Sequence, residues 1–237
     1  MKCIHLSIIF KEIIQVTPTR KEPSEDKAYR LILEAIRNTY QPGEFLLEKN
    51  IVTSLKMSRT PVAMALNRLV TEGILNKVPK KGCYIPNLNR DDATAAFQAR
   101  KLLEGSAAND AAKFSSSQEL KYLSKLLDKG EKAIEDKNYR LFAETDEKFH
   151  HRLVKLSKNE YIYRTWRLVY FRTNIYSRFF DNLYYNTETI VSGKILKMKS
   201  PQQHRTILQA LIDKDPIKCK SRVEEHIEHA LQMIFNR

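Results

Sequence analysis

The sequence predicts a mainly α protein in which an N-terminal winged helix-turn-helix, with a small β-hairpin as its wing, precedes an all-α antiparallel helical bundle. Two observations predict this fold class. Between residues 58 and 85, a helical pattern ends at a glycine and gives way to two short apolar runs around a basic turn. From residue 91 onward, apolar residues recur at helical spacing and strand signals are lacking. We therefore divide the chain into an N-terminal extension (1–23), a winged helix-turn-helix domain (24–87) and an all-helical domain (88–237).

Length and composition indicate a globular protein with a basic surface. The 237 residues suffice for two domains with separate cores, and 42% hydrophobic with 29% charged residues is typical of folded chains. The formal net charge is +13, and residues 1–87 carry 14 Lys and Arg against 8 Asp and Glu. This excess permits a polyanionic partner such as nucleic acid, but it does not identify one.

Cysteine usage and hydropathy favour a cytoplasmic protein with no membrane contact. Cys3, Cys83 and Cys219 form no short motif, so they fit a reducing compartment better than a secreted disulfide framework. No apolar run reaches the length of a membrane span. The apolar patch in residues 1–10 is too short for a typical secretory signal, and we expect residues 1–23 to form an extension.

The N-terminal domain begins with two helices joined by a turn. From Ser24 to Tyr40 apolar residues form a helical stripe, with Ser24 as the expected N-cap and acidic residues in the first turn. A Pro-Gly pair then predicts a turn, residues 45–47 a short extended piece, and residues 48–55 a second helix. A tight turn leads to a third helix, which is the spacing of a helix-turn-helix.

The third helix and the hairpin after it complete the winged domain. Ser58 is a suitable N-cap, Pro61 falls in the first turn where its missing N–H costs little, and Gly73 ends the helix. Two short apolar runs surround residues 79–82, which predicts a hairpin with two cations at its tip. The polar residues of the helix expected to face outward are Arg59, Asn67 and Arg68.

Helical patterns fill the rest of the chain, and short polar or proline-containing breaks separate them. Short connections between consecutive helices favour an antiparallel bundle. The predicted helices span residues 91–114, 118–136, 138–157, 159–185, 188–199, 201–213 and 215–236.

Four polar side chains interrupt the apolar faces of these helices. Asp146 and His150 are four residues apart and share one face with apolar neighbours. His204 and His226 lie on the apolar stripes of two later helices. The histidines expected to face solvent are His151 and His229.

Two interpretations of these inward groups stay open on the pattern alone. A lone histidine on an apolar face is most often a hydrogen-bonded core residue. Three imidazoles and a carboxylate from three helices also form a donor set that binds a first-row divalent ion and leaves room for a ligand oxygen. Zinc is the default ion for such donors, and Ni²⁺, Mn²⁺ and Fe²⁺ are further candidates.

Residues 42–85, PGEFLLEKNIVTSLKMSRTPVAMALNRLVTEGILNKVPKKGCYI, resemble the DNA-binding domain of the GntR family of bacterial transcription regulators. The resemblance covers residues 24–87. It implies that the start of the third helix meets the operator, that a basic residue of the second helix reaches the backbone or base edges, and that the wing glycine enters the minor groove. The residues in these positions are Lys49, Ser58, Arg59, Thr60 and Gly82.

One departure from the family pattern bears on operator choice. The usual sequence of this motif in the family is SRTPVREAL, whereas this chain has Ala63 and Met64 in place of Arg and Glu. A bidentate contact from arginine to guanine is worth about 1–3 kcal/mol of discrimination. We therefore expect a different operator preference, with Arg59 and Lys49 carrying more of the readout. The cations expected to contact phosphate are Lys80 and Lys81.

The rest of the chain resembles the all-helical FCD effector domain of the FadR-type subfamily. The motifs that carry this resemblance are RKLLE at 100–104, DEKFH at 146–150, SKN at 157–159, HRTILQAL at 204–211 and EH at 225–226. In metal-binding members of the subfamily, an Asp-x-x-x-His pair and two later histidines hold the ion. The resemblance thus implies a metal site made of Asp146, His150, His204 and His226.

The resemblance also implies a small organic-acid or sugar-acid effector and a homodimer that binds a palindromic operator, most simply as a repressor. Arg100 and Glu104 form an i, i+4 pair on an inward helix face. Two roles for Arg100 stay open. It forms a structural ion pair with Glu104, or it binds the carboxylate of an effector whose other oxygens meet the metal.

An enzyme is the rival from another class. A histidine-rich metal site is compatible with a metal-dependent hydrolase, with Glu104 or Glu147 as general base and the DNA-binding domain as an accessory. The sequence contains no HExxH or comparable motif, and a winged helix has no obvious use in such an enzyme. We therefore expect a regulator rather than an enzyme.

Overall fold

The computed structural model describes residues 22–177 and 200–235. The chain divides between Leu88 and Asn89 into two compact units. This division lies one residue from the boundary that the sequence predicts. Among the described residues, no helix is both long and apolar enough to cross a membrane.

The first unit is built on helices that each bury one apolar side. Helix α1 buries Ala28, Leu31, Ile32 and Ala35, and it packs mainly against α3. The described helices of this unit are α1 (Ser24–Asn38), α2 (Glu48–Leu55) and α3 (Arg59–Thr71).

The start of α1 differs from the prediction by one residue. Pro23, not Ser24, occupies the N-cap position, and its carbonyl accepts from Lys27 N at 3.0 Å. Proline fits this place because its fixed φ suits the extended backbone that precedes a helix, and its own N–H is not needed there. The helix ends at Asn38, two residues before the predicted Tyr40.

The turn between α2 and α3 depends on one left-handed residue. Lys56 has φ +52°, and its N–H donates to the carbonyl of Val52, which closes α2. Ser58 is in the N-cap position of α3, as predicted, but its side chain makes no capping hydrogen bond. Gly73 has φ +71° just past α3, a conformation that glycine adopts without steric cost.

A three-stranded antiparallel sheet forms the wing. Its strands are β1 (Phe45–Leu46), β2 (Asn76–Val78) and β3 (Gly82–Tyr84), in the order β1-β3-β2. Cys83 lies in register with Leu46 on one side and with Lys77 on the other. The predicted hairpin is therefore present with shorter strands, and the extended piece at residues 45–47 supplies the third strand.

Four helices of the second unit begin at polar caps. The side chains of Asn89, Ser116, Asn138 and Asn159 each accept a hydrogen bond from a first-turn N–H, and Ser116 forms a capping box with Glu119. The described helices are α4 (Arg90–Phe114), α5 (Ser117–Glu135), α6 (Tyr139–Leu156), α7 (Glu160–Tyr176), α8 (Ser200–Ile212) and α9 (Pro216–Phe235).

These bounds agree with the predicted ones to within one residue wherever the structure describes both ends of a helix. Helix α7 is described as far as Tyr176, and residues 178–185 of its predicted range lie outside the described residues. The predicted helix 188–199 lies outside the described residues.

Helix α4 is the central element of the second unit, because it packs against α6, α7, α8 and α9. It approaches α9 closely at Gly105, where a Cβ atom would lie 2.9 Å from an Oε1 atom of Glu224. Trp166 and Tyr170 of α7 pack with Ala107 and Val154 in the core beside it. This packing brings side chains from α4, α6, α8 and α9 to one place.

Candidate metal centre and DNA-binding surface

Three buried imidazoles from three helices converge in the second unit. His150 on α6, His204 on α8 and His226 on α9 are 1%, 1% and 6% exposed. The Nε2 atom of His226 lies 3.3 Å from the Nε2 of His150 and 3.3 Å from that of His204. Two tetrahedral nitrogen ligands of zinc are about 3.3 Å apart, so the spacing suits a shared ion.

Asp146 lies at the edge of the three imidazoles, one helical turn before His150. Its Oδ1 is 3.7 Å from the Nε2 of His204, and its Oδ2 is 3.9 Å from the Nε2 of His150. Its side chain is 17% exposed. The structure thus brings the three imidazoles into one group and places the Asp146 carboxylate beside two of them, and its role as a fourth ligand stays a prediction.

A buried carboxylate orients the first of these histidines. Glu104 on α4 is fully buried, and its Oε1 accepts a hydrogen bond from the Nδ1 of His150. Its Oε2 accepts from Arg100 Nε at 2.9 Å and from Trp166 Nε1 at 2.8 Å. Burial alone would raise the pKa of Glu104, but His150 and Arg100 beside it lower the pKa below its usual value, so the carboxylate is ionised.

The Nδ1 partners decide which ring nitrogens carry protons. An ionised carboxylate only accepts, so the Nδ1 of His150 carries the proton that it donates to Glu104. The Nδ1 of His226 lies 3.1 Å from the side-chain amide oxygen Oε1 of Gln203, which favours a proton on Nδ1 in this ring as well. Burial lowers the pKa of His204 and of His226 well below the usual imidazole value, so both are neutral.

The nitrogens that face each other test whether the residues fit a metal ion. The Nε2 atoms of His150 and His226 lie 3.3 Å apart. When both rings are neutral with the proton on Nδ1, neither Nε2 can donate to the other, and the contact is repulsive unless a cation lies between them. A carboxylate behind a ligating imidazole is also the usual outer partner of metal-bound histidine. The donor set therefore fits a divalent ion.

A cleft opens beside the cluster. Its walls come from α5, α6 and the start of α8, and they enclose room for about one water molecule. Asp146 and His204 line it, so a small molecule in the cleft reaches two of the four candidate ligands. Gly130 forms part of the wall, and a Cβ atom there would lie 2.8 Å from Thr145 Oγ1.

Arg100 forms the structural ion pair that was one of its two predicted roles. It is 5% exposed, donates to Glu104, and lies over the ring of Tyr170 at 4.6 Å. It does not line the cleft. Its Nη1 makes only a long contact of 3.5 Å to Thr173 Oγ1, and a contact of Arg100 with an effector stays a prediction.

Sequence reasoning missed the outer partners of the histidines. The sequence predicts Glu104 only as the partner of Arg100 or as a general base. In the structure, the Glu104 carboxylate already accepts from three donors. The role of Gln203 could not be predicted, because a polar residue next to an inward-facing histidine does not alter the helical spacing of apolar residues. His151, expected in solvent, is only 28% exposed, and its ring packs edge-on against Trp166 at 4.8 Å.

The residues predicted to contact DNA lie in the first unit, on α2, on α3 and at the tip of the wing. Gly82, with φ +111°, is half-buried where β3 begins. Arg59 is 84% exposed and donates to Glu48 at 2.5 Å. An ion pair this exposed contributes little to folding stability, so Arg59 can readily exchange Glu48 for another partner. The exposed members of the predicted set are Lys49, Ser58, Arg59, Thr60, Asn67, Lys80 and Lys81.

Arg68 departs from the outward orientation that the sequence predicts. It donates to Asp26 at 3.1 Å and to Glu72 at 3.2 Å, and it lies over the Tyr29 ring at 4.1 Å. These contacts hold its guanidinium against α1. Helical spacing places Arg68 on the polar side of α3. Only the packing of α1 shows that this part of the polar side contacts another helix.

Comparison with known protein families decides the class of protein. The FCD domain profile matches residues 95–229, more than half of the chain, and that of "Bacterial regulatory proteins, gntR family" matches residues 25–85. The chain belongs to the GntR family. This GntR-family protein is thus a transcriptional regulator with a winged helix-turn-helix and an FCD domain.

Relatives of this GntR-family protein are transcriptional regulators. The Nta operon transcriptional regulator of Aminobacter aminovorans is 30% identical over 201 residues, which cover 85% of this chain and 89% of that protein. The HTH-type transcriptional repressor RspR of Escherichia coli is 26% identical over 144 residues, 60% of this chain and 62% of that protein. A metal-dependent hydrolase is therefore not favoured, and the chain is a regulator rather than an enzyme.

A solved structure shares the fold of this GntR-family protein. The Escherichia coli protein McbR/YncC aligns with a TM-score of 0.79 at 20% identity, and the alignment covers 91% of this chain and 99% of that chain. At this level of identity the likeness supports the fold alone.

Proposed function

We propose that this regulator is a repressor whose operator affinity responds to a small organic acid bound at a divalent metal in the FCD domain. The convergence of three buried imidazoles, with the Nε2 of His226 lying 3.3 Å from those of His150 and His204, is the observation that supports it best. His150, His204 and His226 would hold the ion together with Asp146. Zn²⁺ suits these donors best, and Ni²⁺, Mn²⁺ and Fe²⁺ are alternatives.

The metal gives the site its preference for an anion. When bound, the ion supplies positive charge and open positions for ligand oxygens. The cleft beside Asp146 and His204 leads to two of these ligands, and we propose that it opens further to admit a small carboxylate or sugar acid. Glu131 at its wall is paired with Arg205 through two contacts of 2.6 and 2.7 Å, so its charge does not repel an anion. Arg100 is the further cation that we propose meets the effector carboxylate.

Helix α7 connects the outer partners of the metal site to the first residues of the domain. Near its middle, Trp166 donates to Glu104, the carboxylate behind His150. At its end, Tyr176 donates to Asp92 at 2.5 Å and accepts from the backbone N–H of Asn89 at 3.3 Å. We propose that a shift of Glu104 on effector binding moves α7, and with it the segment at which the domain begins.

The proposed movement of α7 alters how the protein binds its operator. We propose that the FCD domains dimerise and set two α3 helices on the half-sites of a palindromic operator in the cytoplasm. An effector that binds one arrangement of the dimer better than the other changes operator affinity by its differential binding free energy.

The test uses a DNA-binding assay on the promoter regions nearest to the gene, with a panel of small carboxylates. We expect an acid to release the wild-type protein from DNA and expect His150→Ala combined with His204→Ala to bind DNA without responding. His229→Ala is the matched control, since it removes a histidine of α9 outside the cluster. Effector-dependent release by the double variant would rule out the metal's role.

A further inference from the structure

The solvent-facing stripe of α3 has an unusual chemical character. Thr60, Met64, Asn67 and Thr71 are all exposed, and their spacing of four, three and four residues places them on one face. Met64 is 48% exposed, a large value for an apolar side chain near the middle of a helix. The residues that α3 buries in the core of the unit are Val62, Ala65, Leu66 and Leu69.

The two arginines of α3 lie outside the middle of this stripe. Arg59 is the first residue of the helix, and Arg68 is held against α1 by Asp26 and Glu72. Ala63, beside the stripe, contributes only a methyl group. Along the central turns of α3, the face open to a DNA groove therefore offers a thioether and an amide but no guanidinium.

Base pairs differ in what they offer to such a face. Guanine presents two acceptors in the major groove, which match arginine or lysine. Adenine presents an acceptor and a donor, which match the amide of Asn67, and thymine presents a methyl group, which matches an apolar side chain such as Met64. The central part of α3 is therefore complementary to A·T pairs and poorly complementary to G·C pairs.

A contact from the wing fixes the orientation of the Asn67 amide. The Nζ atom of Lys77, on β2, donates to Oδ1 of Asn67 at 3.0 Å. An ammonium group can only donate, so the atom that faces Lys77 is the amide oxygen, and the assignment of oxygen and nitrogen is not ambiguous. The oxygen keeps a second lone pair beside the NH₂ group, which is the acceptor and donor pair that adenine requires.

We propose that Met64 and Asn67 are specificity-determining residues that select A·T pairs in the middle of each half-site, and that Lys77 is a positioning residue for Asn67. Arg59, at the start of the helix, is then the residue of α3 that reads guanine. This inference rests on the proposed function, because it requires α3 to enter the major groove of an operator.

The experiment is selection of binding sites from randomised duplex DNA by the full-length protein, followed by affinity measurements on the selected site. We expect the wild type to enrich sites with A and T at the central positions. Asn67→Ala should lose roughly 5- to 150-fold of discrimination at an adenine position, the range of a bidentate contact. Met64→Ala should lose a thymine preference of about fourfold, the value of one buried methyl group.

Modified bases assign each contact to its residue. Uracil in place of the central thymine removes only the methyl group and should weaken the wild type but not Met64→Ala. Replacing adenine with 7-deazaadenine removes one acceptor and should weaken the wild type but not Asn67→Ala. Lys77→Ala should relax discrimination at the adenine, and Lys77→Arg, which can still donate, should restore it.

Lys80→Ala is the matched control at the wing tip, since we expect that lysine on phosphate and its loss should weaken all sites equally. Central G·C pairs in the selected sites, or central preferences unchanged in Met64→Ala and Asn67→Ala, would overturn this inference while the operator-binding function stands. If no site is enriched by the protein, with or without added Zn²⁺, both the inference and the proposed function fail.

Discussion

Glu104→Gln is the substitution that most sharply tests the metal site, because it changes one atom of a fully buried side chain without leaving a cavity. The new amide oxygen can still accept from Arg100 and Trp166, which lie 2.9 and 2.8 Å from Oε2. The new NH₂ group then faces the Nδ1–H of His150, and two donors cannot pair. His150 can relieve this conflict by moving its proton to Nε2, the nitrogen that we propose binds the metal.

The size of the effect follows from the two consequences of the substitution. Loss of an outer partner of a metal ligand typically lowers metal affinity 10- to 100-fold, which is about 1.4–2.7 kcal/mol. Arg100 also loses its buried counter-ion, since the side chains of the pair are 6% and 0% exposed. Breaking such a pair costs about 3–5 kcal/mol of unfolding free energy, and the retained hydrogen bond places this case near the lower end.

The assay is calorimetric titration of Zn²⁺ into metal-free protein, with urea unfolding of the same samples. Gln203→Ala is the companion variant, because it removes the Nδ1 partner of His226 and leaves the Arg100 pair intact. Trp166→Phe is the control for loss of one donor to Glu104. We expect weaker Zn²⁺ binding in Glu104→Gln and Gln203→Ala, and near wild-type binding in Trp166→Phe. A folded Glu104→Gln protein that binds Zn²⁺ within twofold of the wild type would refute the tautomer argument.

Three further predictions address other parts of the chain. Ala63→Arg should shift the operator preference toward G·C, because it adds a guanidinium beside the exposed stripe of α3; an unchanged preference in site selection would count against that face meeting bases. Arg68→Ala should lower the unfolding free energy of the protein by about 1–2 kcal/mol in urea denaturation, through loss of its contacts with α1, and should leave the selected operator sequence unchanged. Asp92→Asn should weaken the response of DNA binding to the effector without lowering Zn²⁺ affinity, because it disturbs the hydrogen bonds from Tyr176 and Arg172 far from the ligands; an intact response would contradict a role for α7.

The first unit shows how far local patterns reach. Apolar spacing, the Pro-Gly turn and Gly73 are local signals, and each acts within a few residues. The helices, the tight turn and the wing hairpin could therefore be predicted from the sequence. The pairing of β1 with β3 could not, because Phe45 and Tyr84 are distant in the chain and a two-residue strand has no periodic signature. The contact of Arg68 with Asp26 could not be predicted either, because these two residues are also distant in the chain.

The sequence by itself determined the helical class, the inward faces of Asp146, His150, His204 and His226, and the absence of an arginine at position 63, because these features depend on spacing within single helices. Only the tertiary structure decided that the Nε2 of His226 lies 3.3 Å from those of His150 and His204, and that Glu104 and Gln203 are the Nδ1 partners of two of the rings. The rotation and axial offset of one packed helix against another depend on how side chains from distant segments interlock, and helical spacing carries no information about either.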